Sequence, residues 1–183
     1  ALRAVHVRGL EFRRLAEREG DPGKMAMVSA PADVVQRALP GVEGYATVAN
    51  LNCSVQTVLS GAGAAVDELV RRLEGEQVEC RVLPIAGAFH SSIARAIRPA
   101  MAAVLGPLDV RPPRIDVRST VDGALYPRDA SCRDRVVGNL LDQLEKPVDF
   151  IGLVRRCHAD GVRVFVEVGP KKALSTFVTD ILA

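Results

Sequence analysis

The stretch YATVANLNCSVQTVLSGA, residues 45–62, contains the pattern that decides the fold of this 183-residue chain. Two runs rich in valine, threonine and other strand-forming residues lie on either side of the turn NCS at 52–54, which is typical of neighbouring strands. A helical pattern precedes this pair, PADVVQRAL at 31–39, and another follows it, AAVDELVRRLEGE at 64–76. The spacing of apolar residues in the second pattern predicts one buried helix face.

Short apolar runs outside these helices predict two further strands, KMAMVSA at 24–30 and ECRVLPIA at 79–86. The resulting order β-α-β-β-α-β is that of a ferredoxin-like split β-α-β module. We therefore predict a small α+β module over residues 23–87.

The residues on both sides of this module predict pieces of a larger α/β domain. Residues 1–19 have the apolar spacing of a helix. Beyond the module we predict helices at 91–108 (bent at Pro99), 129–146, 147–161 and 170–183, and strands at 114–120 and 162–169. The last strand, VRVFVEVG, has too many apolar residues for a strand that buries only one face. We therefore expect it inside a parallel sheet, with both faces buried. The predicted fold class is α/β with an α+β insert, in which 1–22 and 88–183 form the large unit.

Charge and composition exclude several classes of partner. The 24 Lys and Arg residues nearly balance 22 Asp and Glu residues, which does not indicate a nucleic acid or a membrane surface. No apolar run is long enough to cross a bilayer, and no signal peptide opens the chain. The four cysteines lack the C-x-x-C spacing of metal or redox sites, so we expect reduced thiols, no metal and a cytoplasmic location.

Five motifs carry a resemblance to a known family, and they follow one another in the order VRGLEF (7–12), NLNCSVQTVLSG (50–61), GAFHSS (87–92), QLEKPVDF (143–150) and VFVEVGPKKAL (164–174). The chain resembles malonyl-CoA:acyl carrier protein transacylases and the acyltransferase domains of polyketide synthases, nearly from end to end. The resemblance implies a hydrolase-like large subdomain with a ferredoxin-like insert. It also implies acyl transfer from coenzyme A to a serine and then to a phosphopantetheine thiol, without a metal or redox cofactor.

The nucleophile of that family is missing from this sequence. It is a serine in a G-x-S-x-G turn between a strand and a helix, and none of the eight serines here fits that motif. The chain also has no initiator methionine, and helical spacing starts at once. We expect the serine upstream of Ala1 in a longer polypeptide, and we predict that this chain alone is inert.

His90 is the candidate catalytic base. It follows a strand and a glycine-containing turn and precedes a helix, a position where α/β enzymes place side chains at a crevice. The alternative is a histidine that only bonds the backbone at a helix start. The resemblance implies that His90 takes the serine proton and later activates the thiol of the carrier.

Arg8 is the candidate carboxylate-binding residue. Val5, Arg8, Phe12 and Leu15 share one helical face, so its stem lies among apolar neighbours. An arginine that only packs its stem and leaves its head in water is the alternative. The resemblance implies that Arg8 holds the free carboxylate of a malonyl group, for which a guanidinium offers two parallel hydrogen bonds.

Three further residues are candidates for contacts with the substrate. Gln143 matches a family position beside the histidine, where backbone oxygen helps to orient the imidazole; a helix-end amide is the alternative. Asn52 either satisfies backbone groups in a tight turn or contacts the acyl-CoA. The resemblance implies that Phe89, in AFH, excludes an α-methyl group and favours malonyl. The residue before AFH is usually a histidine and is Gly87 here. We expect this smaller residue to relax the wall of side chains around the acyl group.

The sequence thus predicts part of a malonyl-type acyltransferase of polyketide or fatty acid synthesis. Its expected partners are malonyl-CoA, an acyl carrier protein, the upstream part of the same polypeptide and neighbouring synthase domains, with no nucleic acid and no membrane. The alternative is a non-catalytic platform for carrier docking or for structure. An RNA-binding module is set aside, because the predicted strands at 24–30 and 56–62 carry no aromatic residue on which bases could stack.

Overall fold

A computed structural model describes residues 2–85 and 87–183 of the chain. The N-terminal half contains α1 (Leu2–Glu19), β1 (Lys24–Val28), α2 (Ala32–Ala38), β2 (Ala46–Cys53), β3 (Gln56–Gly61), α3 (Gly63–Gly75) and β4 (Cys80–Val82). The C-terminal half contains a 3-10 helix (Ser92–Ile97), α4 (Arg98–Leu105), α5 (Cys132–Asp142), β5 (Val148–Asp149), α6 (Phe150–Ala159) and α7 (Ala173–Leu182). No described helix is both long and apolar enough to cross a membrane.

The strands form one five-stranded sheet in the order β4-β1-β3-β2-β5. The first four strands are antiparallel to their neighbours, with Met25 opposite Ser60 and Val48 opposite Leu59. Strand β3 therefore lies between β1 and β2, as in a split β-α-β arrangement. The order of elements that the sequence predicts for residues 24–82 is the order observed.

Helices α2 and α3 cover one face of this sheet and form its main core. The side chains of Val35, Leu69 and Leu73 are fully buried against Val28 and Leu59 of the sheet. Each such burial contributes about 1.5–3 kcal/mol to stability relative to an exposed side chain. The apolar face predicted for α3 is thus the face that holds α3 to the strands.

A second core joins α1, which precedes the antiparallel strands, to the helices that follow them. Phe12 and Leu15 of α1 pack against Ile97 and Met101, together with Leu144 after α5. The other face of the sheet, with Met25 and Val58, meets Phe89 between the two cores. This packing places the segment around residue 90 beside both α1 and the sheet.

The N-terminal part of the predicted helix at 91–108 is wound more tightly than an α-helix. Residues Ser92–Ile97 form the 3-10 helix, and α4 begins at Arg98 with Pro99 in its first turn. Proline suits that position because it has no N–H to donate. The predicted fourth strand extended to residue 86, whereas β4 ends at Val82; Ala86 itself lies outside the described residues.

The predicted helix start at Pro147 is wrong. Val148 and Asp149 instead form β5, which pairs in parallel with Asn50 and Leu51 of β2. Helix α6 begins at Phe150, because the Asp149 carboxylate accepts a hydrogen bond from the backbone N–H of Gly152 at 2.8 Å. An aspartate at this capping position starts a helix more strongly than the proline two residues earlier.

Two predicted strands are also wrong for this chain. The predicted strand at 114–120 makes only one isolated bridge, from Arg118 to Leu125, and Ile115 is 73% exposed. The segment 162–168 pairs with no strand among the described residues, and Val168 is 96% exposed. The segment 114–120 is hydrogen-bonded to the turn that follows it, from Tyr126 N–H to Val117 O at 2.9 Å and from Ser119 N–H to Ala124 O at 3.0 Å. A longer strand needs a hydrogen-bonding neighbour along its length as well as a suitable composition.

The segment 162–168 nevertheless supports the last helix. Glu167 accepts hydrogen bonds from the backbone N–H groups of Leu174 and Ser175, at 3.2 and 2.9 Å. The Ser175 N–H, with its hydroxyl, lowers the pKa of the Glu167 carboxyl. Glu167 thus satisfies donors of the first turn of α7 from outside the helix.

Candidate functional site

A cavity of about 660 Å³ lies where α1, the sheet and the helices around α4 and α5 meet. Its polar lining groups come from Arg8, Asn50, His90 and Gln143. Its apolar lining comes from Ala4, Val5, Met25, Ile85, Phe89, Met101, Leu105, Leu108, Leu140 and Leu144. The fold therefore brings four of the five predicted site residues to one cavity, and Asn52 is not among them.

The backbone around His90 is held in an unusual conformation. His90 has a φ of +56°, in the left-handed region that residues with a Cβ rarely adopt. On either side, the N–H of Ala88 donates to Pro22 O at 2.9 Å and the Ser91 hydroxyl donates to Ala88 O at 2.6 Å. Such local strain persists only where surrounding contacts enforce it, and it is found mostly at functional sites.

One imidazole nitrogen of His90 is fixed by the backbone. Its Nδ1 atom lies 2.8 Å from the main-chain carbonyl oxygen of Gln143. A carbonyl can only accept, so the proton of the neutral ring is on Nδ1 and the lone pair is on Nε2. This tautomer is the one that a general base requires.

Burial lowers the pKa of His90 below its ordinary value, and the positive charge of Arg8 acts in the same direction. Backbone groups of Gln143 and Lys146 oppose this shift. The net direction keeps the imidazole neutral at pH 7. His90 can therefore accept a proton at physiological pH.

Arg8 of α1 is an exposed residue that lines this cavity. Its Cζ atom lies 5.5 Å from the centroid of the Phe89 ring, a cation–π distance. Within the described parts of the chain, no carboxylate forms an ion pair with it. The guanidinium therefore keeps hydrogen-bond donors available at the cavity.

Gln143 contributes a backbone atom rather than its amide to the histidine. It is the residue that ends α5, and its side-chain Nε2 donates to the Thr120 hydroxyl at 3.2 Å. The contact to His90 thus has the form that the family resemblance implied. The predicted role of Gln143 in substrate binding stays a prediction.

Asn52 is occupied elsewhere. Its Nδ2 donates to the Gln56 side-chain oxygen at 3.0 Å across the β2–β3 turn, so the bond joins two side chains and not the backbone groups that the turn alternative named. Asn50, two residues earlier on β2, lines the cavity and was missed by the sequence analysis. A period of two would place Asn50 and Asn52 on the same side of a regular strand, but the register of β2 shifts between Leu51 and Cys53, so spacing alone could not distinguish them.

The cavity lining contains a base and a cation but no hydroxyl or thiol side chain. Ser91, adjacent to the histidine, is fully buried and donates to Ala88 O. Among the described residues, no group of three or more histidine, cysteine or acidic side chains is placed to hold a metal ion. The lining residues can therefore activate and orient a reactant but supply no nucleophile of their own.

Comparison with known proteins identifies the family. A family model described as the acyl transferase domain matches residues 1–182. The chain therefore belongs to the acyl transferase domain family, and the resemblance found in the sequence is confirmed. The mixed α/β fold with one sheet also matches solved acyltransferase structures.

Individual relatives are longer than this chain. It is 31% identical to a malonyl CoA-acyl carrier protein transacylase of Bacillus subtilis, over 99% of this chain and 57% of the relative. The malonyl CoA-acyl carrier protein transacylase structure from Clostridium perfringens is 29% identical, with a TM-score of 0.82, over 98% of this chain and 56% of that one. The acyl transferase domain of SpnD, solved in complex with 2-(pent-4-yn-1-yl)malonyl, is 31% identical, with a TM-score of 0.80, over 92% and 40%.

Proposed function

We propose that this chain is the base-carrying portion of a malonyl-type acyltransferase in polyketide or fatty acid synthesis. The full enzyme moves a malonyl group from coenzyme A to a serine and then to the phosphopantetheine thiol of an acyl carrier protein. The observation that carries the proposal is the pairing of His90 and Arg8 in one cavity, with the Nδ1 of His90 held by Gln143 O. A base and a free cation are what a thioester with a second, ionised carboxyl group needs.

The chemistry assigns each step a proton donor and acceptor. Nε2 of His90 takes the serine proton while the serine oxygen attacks the thioester carbonyl, and the imidazolium returns that proton to the departing coenzyme A sulfur. The thiol of the carrier then gives its proton to His90 and attacks the acyl-serine ester, and the imidazolium returns that proton to the serine oxygen as the ester bond breaks. Arg8 holds the distal carboxylate by paired charge-assisted hydrogen bonds in both halves.

The serine of this scheme is contributed by a part of the enzyme other than this chain. The exposed valines of the segment 162–168 support this, because such a strand is stable only between neighbouring strands. We propose that the serine-bearing part, in the same polypeptide, supplies those strands. The isolated chain is then inert as an acyltransferase.

We also propose a division of the chain into subdomains. Residues 23–87 form the ferredoxin-like small subdomain, and 1–22 and 88–183 belong to a hydrolase-like large subdomain. The sheet order β4-β1-β3-β2 supports the small subdomain, and the helical core around Phe12 and Met101 supports the joining of its two flanks. Four free cysteines are consistent with an enzyme of the cytoplasm, where neighbouring synthase domains would be its further partners.

A non-catalytic docking platform is the second candidate, because the cavity lining offers no nucleophile. The two candidates differ in their need for the histidine. In the acyltransferase that contains this chain, His90→Ala should reduce malonyl transfer by roughly 10²–10⁴-fold, the usual contribution of a general base. The matched control is His6→Ala, which changes an exposed histidine of α1 and should leave transfer unchanged.

Carrier binding is measured beside transfer. We expect both variants to bind the carrier as the parent does. Transfer by the His90→Ala variant at the parental rate would reject the catalytic proposal, and so would a parent that transfers nothing while it binds the carrier.

A further inference from the structure

The starting observation is the packing of Gly87 against Phe12. Gly87 is buried with a φ of +130°, a conformation that residues with a side chain rarely adopt. A Cβ atom placed there would lie 2.7 Å from Cδ1 and 3.0 Å from Cε1 of the Phe12 ring. The Phe12 ring therefore fills the space that the missing side chain of residue 87 leaves.

This filling corrects the expectation that Gly87 relaxes the wall around the acyl group. Phe12 is 3% exposed, and its ring centroid lies 4.4 Å from that of Phe89, with the planes tilted by 57°. Phe89 thus packs on a buried ring that is itself wedged against the backbone of Gly87. The wall is closed by a residue 75 positions earlier in the chain rather than by a side chain at position 87.

The same helix connects this packing to the cation of the site. Arg8 precedes Phe12 by one turn of α1, and its guanidinium lies 5.5 Å from the Phe89 ring centroid. Phe89 therefore contacts two residues of one rigid helix. Any movement of the Phe89 ring away from Phe12 would also change its contact with Arg8.

We propose that Phe12 is a positioning residue for acyl selection. It holds Phe89 at the cavity wall, so that an unsubstituted malonyl group fits while an α-alkyl malonyl group collides with the ring. The proposal rests on the proposed function and adds to it a residue that lies outside the cavity lining. Phenylalanine at 12 requires glycine at 87, because a Cβ atom at 87 would overlap the Phe12 ring.

The first test is competition between malonyl-CoA and methylmalonyl-CoA for loading onto the complete acyltransferase. The ratio of products does not depend on how much enzyme is active, so a general loss of folded protein leaves it unchanged. Phe12→Leu keeps an apolar residue but removes the ring that supports Phe89. We expect the preference for malonyl to fall by about tenfold, within the 10–200-fold range that one methyl group can produce in a pocket.

The matched control is Phe177→Leu. Phe177 also packs edge-on against another ring, that of Phe150 at 6.3 Å, but it lies in a separate core around α6 and α7. This control should keep the parental ratio. Phe12→Met serves as a second variant, because its flexible side chain fills a similar volume, and it should shift the ratio in the same direction as leucine.

A second test measures the Gly87–Phe12 relation without any substrate. Gly87→Ala should lower the midpoint of thermal unfolding of this chain, and the loss should be smaller when Phe12 is already leucine. Strictly additive losses would overturn the pairing.

The outcomes of the competition separate the two proposals. A parent that loads malonyl, with an unchanged ratio in both Phe12 variants, overturns this inference alone. A parent that loads neither ester overturns the proposed function, and the inference falls with it.

Discussion

The Nδ1 atom of His90 lies 2.8 Å from the main-chain carbonyl oxygen of Gln143, which is 53 residues away in sequence. The orientation of the imidazole therefore depends on where α5 ends rather than on an acidic side chain. A carbonyl dipole fixes the tautomer without adding a full negative charge, and burial of the ring lowers the pKa of His90 although this contact opposes the shift. The consequences of this arrangement can be tested residue by residue.

Replacement of the Gln143 side chain should leave the histidine in place. Gln143→Ala keeps the carbonyl that accepts from His90 and removes only the hydrogen bond to Thr120, at a cost of about 1 kcal/mol in stability. Imidazole ¹⁵N NMR of the chain should still report a proton on Nδ1. A mixture of tautomers in the variant would show instead that the amide orients the ring.

The pH dependence of the histidine gives a second prediction. Because burial lowers the pKa of His90, we expect the acidic limb of transfer in the complete enzyme to lie below the usual histidine value of about 6.5. NMR titration of the chain should find the same direction, with the His90 signal identified by its loss in His90→Gln. A titration midpoint above 6.5 would contradict the assignment.

The lowered pKa of His90 should also make the stability of the fold depend on pH. Between pH 6.5 and the lower folded-state pKa, the unfolded chain binds more protons at His90 than the folded chain. The free energy of unfolding should therefore decrease as pH falls through this window, and His90→Gln should weaken that decrease.

Arg8→Gln should raise the pKa of His90, since a neighbouring positive charge is removed, whereas Arg13→Gln on the same helix should not.

A buried hydroxyl provides a prediction about stability alone. Ser60 of β3 is fully buried, and its Oγ has no partner among the described residues. Ser60→Ala should raise the free energy of unfolding by about 1 kcal/mol, because an unpaired hydroxyl no longer has to be desolvated. The neighbouring Thr57→Val is the control and should destabilise, since Thr57 donates to Ala30 O at 2.9 Å. Chemical denaturation measures the free energy of unfolding of both variants. A Ser60→Ala variant that is less stable than the parent would show that the hydroxyl has a partner.

The sequence predicted those parts of the fold that depend on local patterns. The strands and helices from Lys24 to Val82 follow from apolar periods of two and 3.6, which neighbours in sequence determine. Strand β5 was missed because two residues, Val148 and Asp149, show no period at all; only their pairing with β2 makes them a strand. The strand predicted at 162–169 is wrong for the opposite reason, since its pattern is strong but it pairs with no strand among the described residues.

The site was predicted unevenly for similar reasons. His90 and Arg8 were found because their motifs lie in short continuous stretches. The support of Phe89 by Phe12 could not be found, because no spacing rule relates residues of α1 to a turn after β4. Asn52 was selected instead of Asn50 although both lie in the motif NLNCSVQTVLSG, and only the structure shows that Asn50 lines the cavity.

Substitution of Arg8 tests recognition of the substrate separately from the chemical step. It is the most direct test of the malonyl assignment. In the complete acyltransferase, Arg8→Ala should reduce kcat/KM for malonyl-CoA by about 10²-fold or more, because the distal carboxylate loses its charged partner. This corresponds to a loss of a few kcal/mol of transition-state stabilisation. Arg8→Lys should recover only part of this loss, since an ammonium cannot form two parallel hydrogen bonds. Acetyl-CoA has no distal carboxylate, so its transfer should persist or improve in both variants. Parallel steady-state assays with the two esters measure the difference. An equal loss with both esters would mean that Arg8 supports the structure through its contact with Phe89 and does not bind the substrate.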